Sequence, residues 1–210
     1  MRINLLKPKD SIQSCLDRPD MRIALVLTLI PTIVSTIGYF FFAFPFQWSQ
    51  MGLSLVSSVV VWLLFSLVAY VVLHLFKGKQ VQGKFTGIAS ALSLLWLINL
   101  LLVIIGIFFV PFVFSPPILE QANLLATGQI EPEQFLVSTD AILEQNPNAV
   151  SLQFGIIAMA IGVLLFLFSA YLVYLTVRDI FAGRILPNLV ITVILLFLWL
   201  FISSWVFVLL

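Results

Sequence analysis

Apolar residues fall along the chain in five long runs, 23–46, 53–76, 85–114, 152–177 and 186–210, and none of the runs holds an Asp, Glu, Lys or Arg. A hydrocarbon layer about 30 Å thick needs roughly 20 apolar residues at about 1.5 Å each, so every run is long enough to cross it. Backbone amides in lipid must be satisfied within their own segment, which makes the runs helices. The pattern predicts an all-α integral membrane bundle of five transmembrane helices, a single membrane domain over residues 1–210. The first run is too long for the apolar part of a signal peptide and lacks a small-residue cleavage site at its end, so it reads as an anchor.

The segments outside the runs are patterned too. Within 1–22, residues 8–18 read as a short amphipathic helix. Pro8 suits its first turn, Asp10 complements its N-terminus, and Ile12, Cys15 and Leu16 share one face. Arg18-Pro19 ends it. The expectation is an interfacial helix lying on the membrane surface, with a partner-binding arm as the alternative. The loop 115–151 holds two further helical stripes. One starts at Pro116-Pro117 and stops at Gly128; the other starts at Pro132 and stops at Asn146-Pro147. They predict two short amphipathic helices over the outer end of the bundle. Ile-Leu-Glu-Gln occurs at 118–121 and again at 142–145, too short a match to mark a repeat.

Charge then orients the bundle. All ten Lys and Arg residues lie in alternate segments: Arg2, Lys7, Lys9, Arg18 and Arg22 before the first run, Lys77, Lys79 and Lys84 after the second, Arg178 and Arg184 after the fourth. The loop 115–151 carries Glu120, Glu131, Glu133, Asp140 and Glu144 and no base. The positive-inside rule places the N-terminus in the cytoplasm and the C-terminus outside. Trp48, Tyr174 and Trp205 then fall near the interfaces, and Trp62 and Trp96 deeper, as packing residues. The composition, 62% hydrophobic and 9% charged, excludes an ordinary soluble domain.

Candidate chemistry is sparse. Ser54 and His74 stand on one helix twenty residues apart, roughly 30 Å, and cannot form a serine-protease dyad. No run carries the acid pair of an aspartyl intramembrane protease. One histidine and one cysteine do not compose a metal site, and no phosphate-binding glycine loop appears. The chain is therefore expected not to be an enzyme and to need no cofactor. Cys15 reads as a small apolar residue, with palmitoylation as its alternative role. His74 reads as an interfacial group. Asn99, Ser93 and Ser90 are candidate intramembrane polar packing residues, and with Thr28, Thr32 and Ser35 near Pro31, which is expected to break the first span, they are also the positions from which a small permease would build a polar path. Gly155, Ala158 and Gly162 predict close helix packing, within the chain rather than between chains.

Three pieces together resemble the Yip-domain family of five-span, Rab/Ypt-GTPase-interacting membrane proteins. They are Leu-Leu-Lys-Pro-Lys-Asp at 5–10 with Arg18-Pro19 before the first run, the loop from Lys77-Gly78-Lys79 to Gly83-Lys84-Phe85-Thr86, and Leu175-Thr176-Val177-Arg178-Asp179 before the last run. The chain lacks the Asp-Leu-Tyr-Gly-Pro motif and long N-terminal region of eukaryotic members, so it is most similar to the prokaryotic branch, which implies a prokaryotic cell membrane. The resemblance implies a membrane scaffold or adaptor. The expected contact surface is the basic cytoplasmic face, Lys7, Lys9, Arg18, Arg22, Lys77, Lys79, Lys84, Arg178 and Arg184. Its expected partners are the lipid bilayer, anionic headgroups above all, and a membrane or cytoplasmic protein, but no nucleic acid.

Overall fold

The structure, a computed structural model, describes residues 3–4, 6–41, 48–78, 81–181 and 185–209. The described residues form nine helices: α1 (Pro8–Asp17), α2 (Met21–Phe41), α3 (Trp48–Lys77), α4 (Phe85–Leu92), α5 (Leu94–Val113), α6 (Pro116–Ala126), α7 (Pro132–Gln145), α8 (Leu152–Phe181) and α9 (Ile185–Leu209). Five segments are long and apolar enough to cross a membrane, namely α2, α3, α4 with α5, α8 and α9. The chain is an all-α membrane bundle, as its hydropathy pattern predicts. The last residues of the first run, 42–46, lie outside the described set.

The five long helices close a ring. α2 packs on α3 and α5, α5 on α8, α8 on α9, and α9 on α3. α4 stands within one end of that ring, against α2, α3 and α8, and α1 tucks beneath it against α4 and α8. This arrangement fixes where the core lies. Residues 87–96 are all buried, and around them gather Ala24 and Leu27 of α2, Phe65, Ala69 and Leu73 of α3, Val173 and Val177 of α8, and Ile191 and Leu195 of α9. Ile12 and Cys15 of α1 belong to the same core. The bundle is therefore solid at the end that carries α1 and α4.

Toward the other end it loosens. Every fully buried residue of α8 lies at Ser169 or beyond. A Cβ built at Gly155 or Gly162 would meet no atom within 4 Å. Gly155 and Gly162 therefore do not make the tight helix contact expected of them, although α5 packs beside this half of α8 through Phe112 on Phe154, ring centroids 5.5 Å apart. Tight glycine contacts lie elsewhere: at Gly38 of α2, where a Cβ would stand 2.7 Å from the Ile107 side chain of α5, and at Gly87, where it would stand 3.1 Å from the Leu16 carbonyl oxygen and 3.3 Å from Leu16 Cα. Gly87 lets the α1 backbone sit directly on α4.

Two local details depart from the sequence pattern. The third run, expected as one helix over 85–114, breaks at Ser93. The Ser93 hydroxyl donates to the Ser90 carbonyl at 2.8 Å, competing with the helix ladder, and the Trp96 amide reaches back only three residues to the Ser93 carbonyl at 3.1 Å. The Trp62 indole N–H of α3 donates to the Ala89 carbonyl at 2.9 Å and pins the turn before this break. Conversely, Pro31 does not break the first span, since α2 runs through it from Met21 to Phe41.

The two short helices of 115–151 form as expected. Gly128, at φ +69°, takes the left-handed conformation that ends α6, and the Gln129 amide bonds the Leu124 carbonyl at 2.9 Å. At α7 the Glu131 amide donates to the Gln134 side chain at 3.0 Å, one half of a capping box. An antiparallel bridge between Phe114 and Val150 pinches the two ends of the loop, with Ser115 N–H on the Ala149 carbonyl at 2.8 Å.

Candidate functional site

The described candidate bases sit on or beside helix ends at the α1 end of the bundle. Lys7 precedes α1, Lys9 lies in its first turn, and Arg18 follows its last residue; all three are exposed. Arg22 is exposed in the first turn of α2, where the Asp20 carboxylate accepts the Arg22 and Ile23 amides at 3.0 and 3.2 Å. That acid is occupied with capping its own helix. Lys84 is exposed just before α4. Lys77 closes α3, but its side chain is outside the described set, as are Lys79 and Arg184 altogether.

Arg178 differs from the other bases. Its Nε and Nη2 donate to Asp179 Oδ1 at 3.0 and 2.8 Å, the one ion pair among the described residues. Asp179 Oδ2 is buried with no partner among the described residues. Arg178 is therefore neutralised by its chain neighbour, while Lys7, Lys9, Arg18, Arg22 and Lys84 form no ion pair among the described residues.

α1 holds several of these bases in place, and here the structure corrects an expectation. The stripe of Ile12 and Cys15 does not face lipid or await a partner. Both side chains are fully buried against the bundle, and Ser11 beside them takes up the N-terminal strand of chain, accepting the Asn4 amide at 2.7 Å and donating to the Asn4 carbonyl at 2.9 Å. α1 has used its apolar face on α4 and α8 and presents its polar face outward. Burial pushes the Cys15 thiol up to about 11, which leaves it protonated and enclosed, the opposite of what acylation needs. His74 is exposed and stacks on Tyr70, ring centroids 6.0 Å apart.

The intramembrane polar residues separate into two groups. Ser90 and Ser93 are completely buried at the α4–α5 break, Ser90 donating weakly to the Met21 sulfur at 3.9 Å. Thr28 is buried and donates to the Ala24 carbonyl of its own helix, and the hydroxyls of Thr32 and Ser58 join α2 to α3 at 2.7 Å. These groups close the bundle. Asn99 stands apart from them, half-buried on α5, with no hydrogen-bond partner for its amide among the described residues.

The sequence pattern singles out Asn99, yet the fully enclosed amide is Asn188. It is 1% exposed, and neither Oδ1 nor Nδ2 has a partner among the described residues. Ser66 on α3 is likewise enclosed, and its hydroxyl has no partner among them. The available signal is an Asn near the start of an uncharged run, directly after Pro187. Comparison of the chain with family models, with curated proteins and with solved structures yields no match.

Proposed function

We propose that this multi-pass membrane protein is a non-enzymatic scaffold that organises lipids or proteins through its basic end, facing the cytoplasm. The observation that carries this reading is the set of five exposed bases, Lys7, Lys9, Arg18, Arg22 and Lys84, which form no ion pair among the described residues and are held on helix ends around the docked α1. Anionic headgroups are the partner that demands least of such a surface. Each base near a charged leaflet contributes about 1 kcal/mol, and the exposed Asp10 and Asp17 of α1 offset part of the sum, so the five bases together give a modest net preference for anionic lipid. The resemblance of 5–10, 77–86 and 175–179 to the Yip-domain family points the same way, toward an adaptor.

The test is lipid retention by the intact protein. Purified from a mixed bilayer and measured by native mass spectrometry, the wild type is expected to keep anionic over zwitterionic lipid. The variant with all five bases changed to Gln should lose that preference, and equal lipid profiles for the two would overturn the reading.

A small permease is the second reading, favoured by the half-buried Asn99, whose amide has no hydrogen-bond partner among the described residues. Against it stands the packed floor at Ser90, Ser93, Trp62 and Trp96. Cysteine substituted at Asn99, in a Cys15→Ser background, separates the two. Labelling by a water-borne thiol reagent supports a path, and protection supports the scaffold.

A further inference from the structure

The face that the cytoplasmic reading does not use is on α7. This helix packs on α6, and none of its residues is fully buried. Its half-buried side chains, Phe135, Ser138, Thr139, Ile142 and Leu143, lie along one side. The opposite side is exposed and has an unusual order. At about 100° per residue, Glu133, Asp140 and Glu144 fall on a central line about 40° wide, with Leu136 on one flank and Val137 on the other, all five within an arc of about 100°. Leu136 is 61% exposed and Val137 70%.

That order argues against lipid as the cover. A helix that lies in a bilayer surface separates an apolar face from a polar one and carries bases on the polar side. Here the acids stand between the two apolar residues, so sinking Leu136 and Val137 into acyl chains would carry Asp140 and Glu133 with them. A second copy of the same face is excluded by like charge, since 115–151 has five acids and no base. What remains is a surface with two aliphatic contacts and a line of negative charge, complementary to a chain that sets its own apolar residue among Lys or Arg.

We propose that the exposed face of α7 is a docking surface for a basic polypeptide segment that carries an aliphatic or aromatic anchor. Leu136 and Val137 receive the anchor, and Glu133, Asp140 and Glu144 receive the flanking bases. The surface is small, so the contact is a weak, salt-sensitive one that orients a partner rather than holding it permanently.

The experiment places photoreactive p-benzoyl-phenylalanine at Val137 in the full chain, irradiates native membranes, and identifies the adduct by mass spectrometry. The expected result is a polypeptide adduct whose attached segment is net basic. Its yield should fall at least tenfold in the E133Q/D140N/E144Q variant. The unsubstituted face washed in about 0.5 M salt should show the same fall, which keeps the test valid if the triple variant accumulates poorly. An adduct to lipid, to a second copy of this chain, to a neutral or acidic segment, or to nothing at all would overturn the proposal, as would a yield that ignores both charge neutralisation and salt.

Discussion

Replacing Gly87 with Val should release α1 from the bundle, and the protein carries its own reporter for this. The Cβ position at Gly87 meets backbone atoms of Leu16, which cannot swing aside as a side-chain tip would. Alanine at this site gains about 1 kcal/mol of helix propensity and loses a similar amount to the tight contact, so Gly87→Ala should be close to neutral. Valine adds two methyl groups in a crowded place. Overpacking of this kind costs about 1–3 kcal/mol, and a cost of about 2 kcal/mol, on the face α1 docks to, raises the population of released α1 by about 30-fold.

Cys15 reads that population directly, being the single cysteine of the chain and fully buried while α1 is docked. Its thiol is raised from 9.0 to about 11 in the docked state. Near pH 8 the docked form therefore holds about a hundredfold less thiolate than the released form, in addition to its steric protection. The sign follows from the raised value. Docking favours the protonated thiol, is fully supported below pH 9.0, and weakens as pH climbs toward about 11. Maleimide labelling of purified protein should be slow for the wild type and Gly87→Ala and at least tenfold faster for Gly87→Val. Equal slow labelling in all three would show that α1 is not held through Gly87, and fast labelling of the wild type would show that it is not docked.

Two further predictions concern the interior. Trp62→Phe keeps most of the packing but removes the indole bond to the Ala89 carbonyl, which still accepts the Ser93 amide; a loss of about 1 kcal/mol is expected in thermal or denaturant unfolding in detergent, and no loss would mean that the bond contributes nothing. Asn188→Leu replaces an enclosed amide whose two polar atoms have no partner among the described residues, each costing about 1–3 kcal/mol, so the variant should unfold at a higher temperature; a lower one would show that Asn188 is satisfied in the working protein.

Much of this fold is legible in the sequence because lipid imposes it. Uncharged runs of sufficient length must be helices, and the prolines and glycines around 115–151 mark the ends of α6 and α7 where the structure places them. What periodicity does not convey is how the helices are arranged around one another. The runs are apolar on every side, so nothing in their pattern says that α4 occupies the centre of one end or that α2 and α5 are neighbours. For the same reason the stripe on α1 looks like a lipid-facing surface, although Gly87 opens a place for it on protein. The break at Ser93 is invisible to hydropathy because it arises from one hydroxyl choosing the Ser90 carbonyl. The bases are readable in the sequence one by one, but the distinction between Arg178, neutralised by Asp179, and Lys7, Lys9, Arg18, Arg22 and Lys84, which form no ion pair among the described residues, rests on side-chain geometry.

The central claim is that the end bearing α1 and these bases faces the cytoplasm while the acidic α6–α7 hairpin faces outward. It can be tested with single cysteines placed at the exposed Lys9 and Glu133 in a Cys15→Ser background, treated in intact cells with a membrane-impermeant maleimide. The account predicts labelling at 133 and protection at 9 until the membrane is opened. Labelling at 9 with protection at 133 would contradict it.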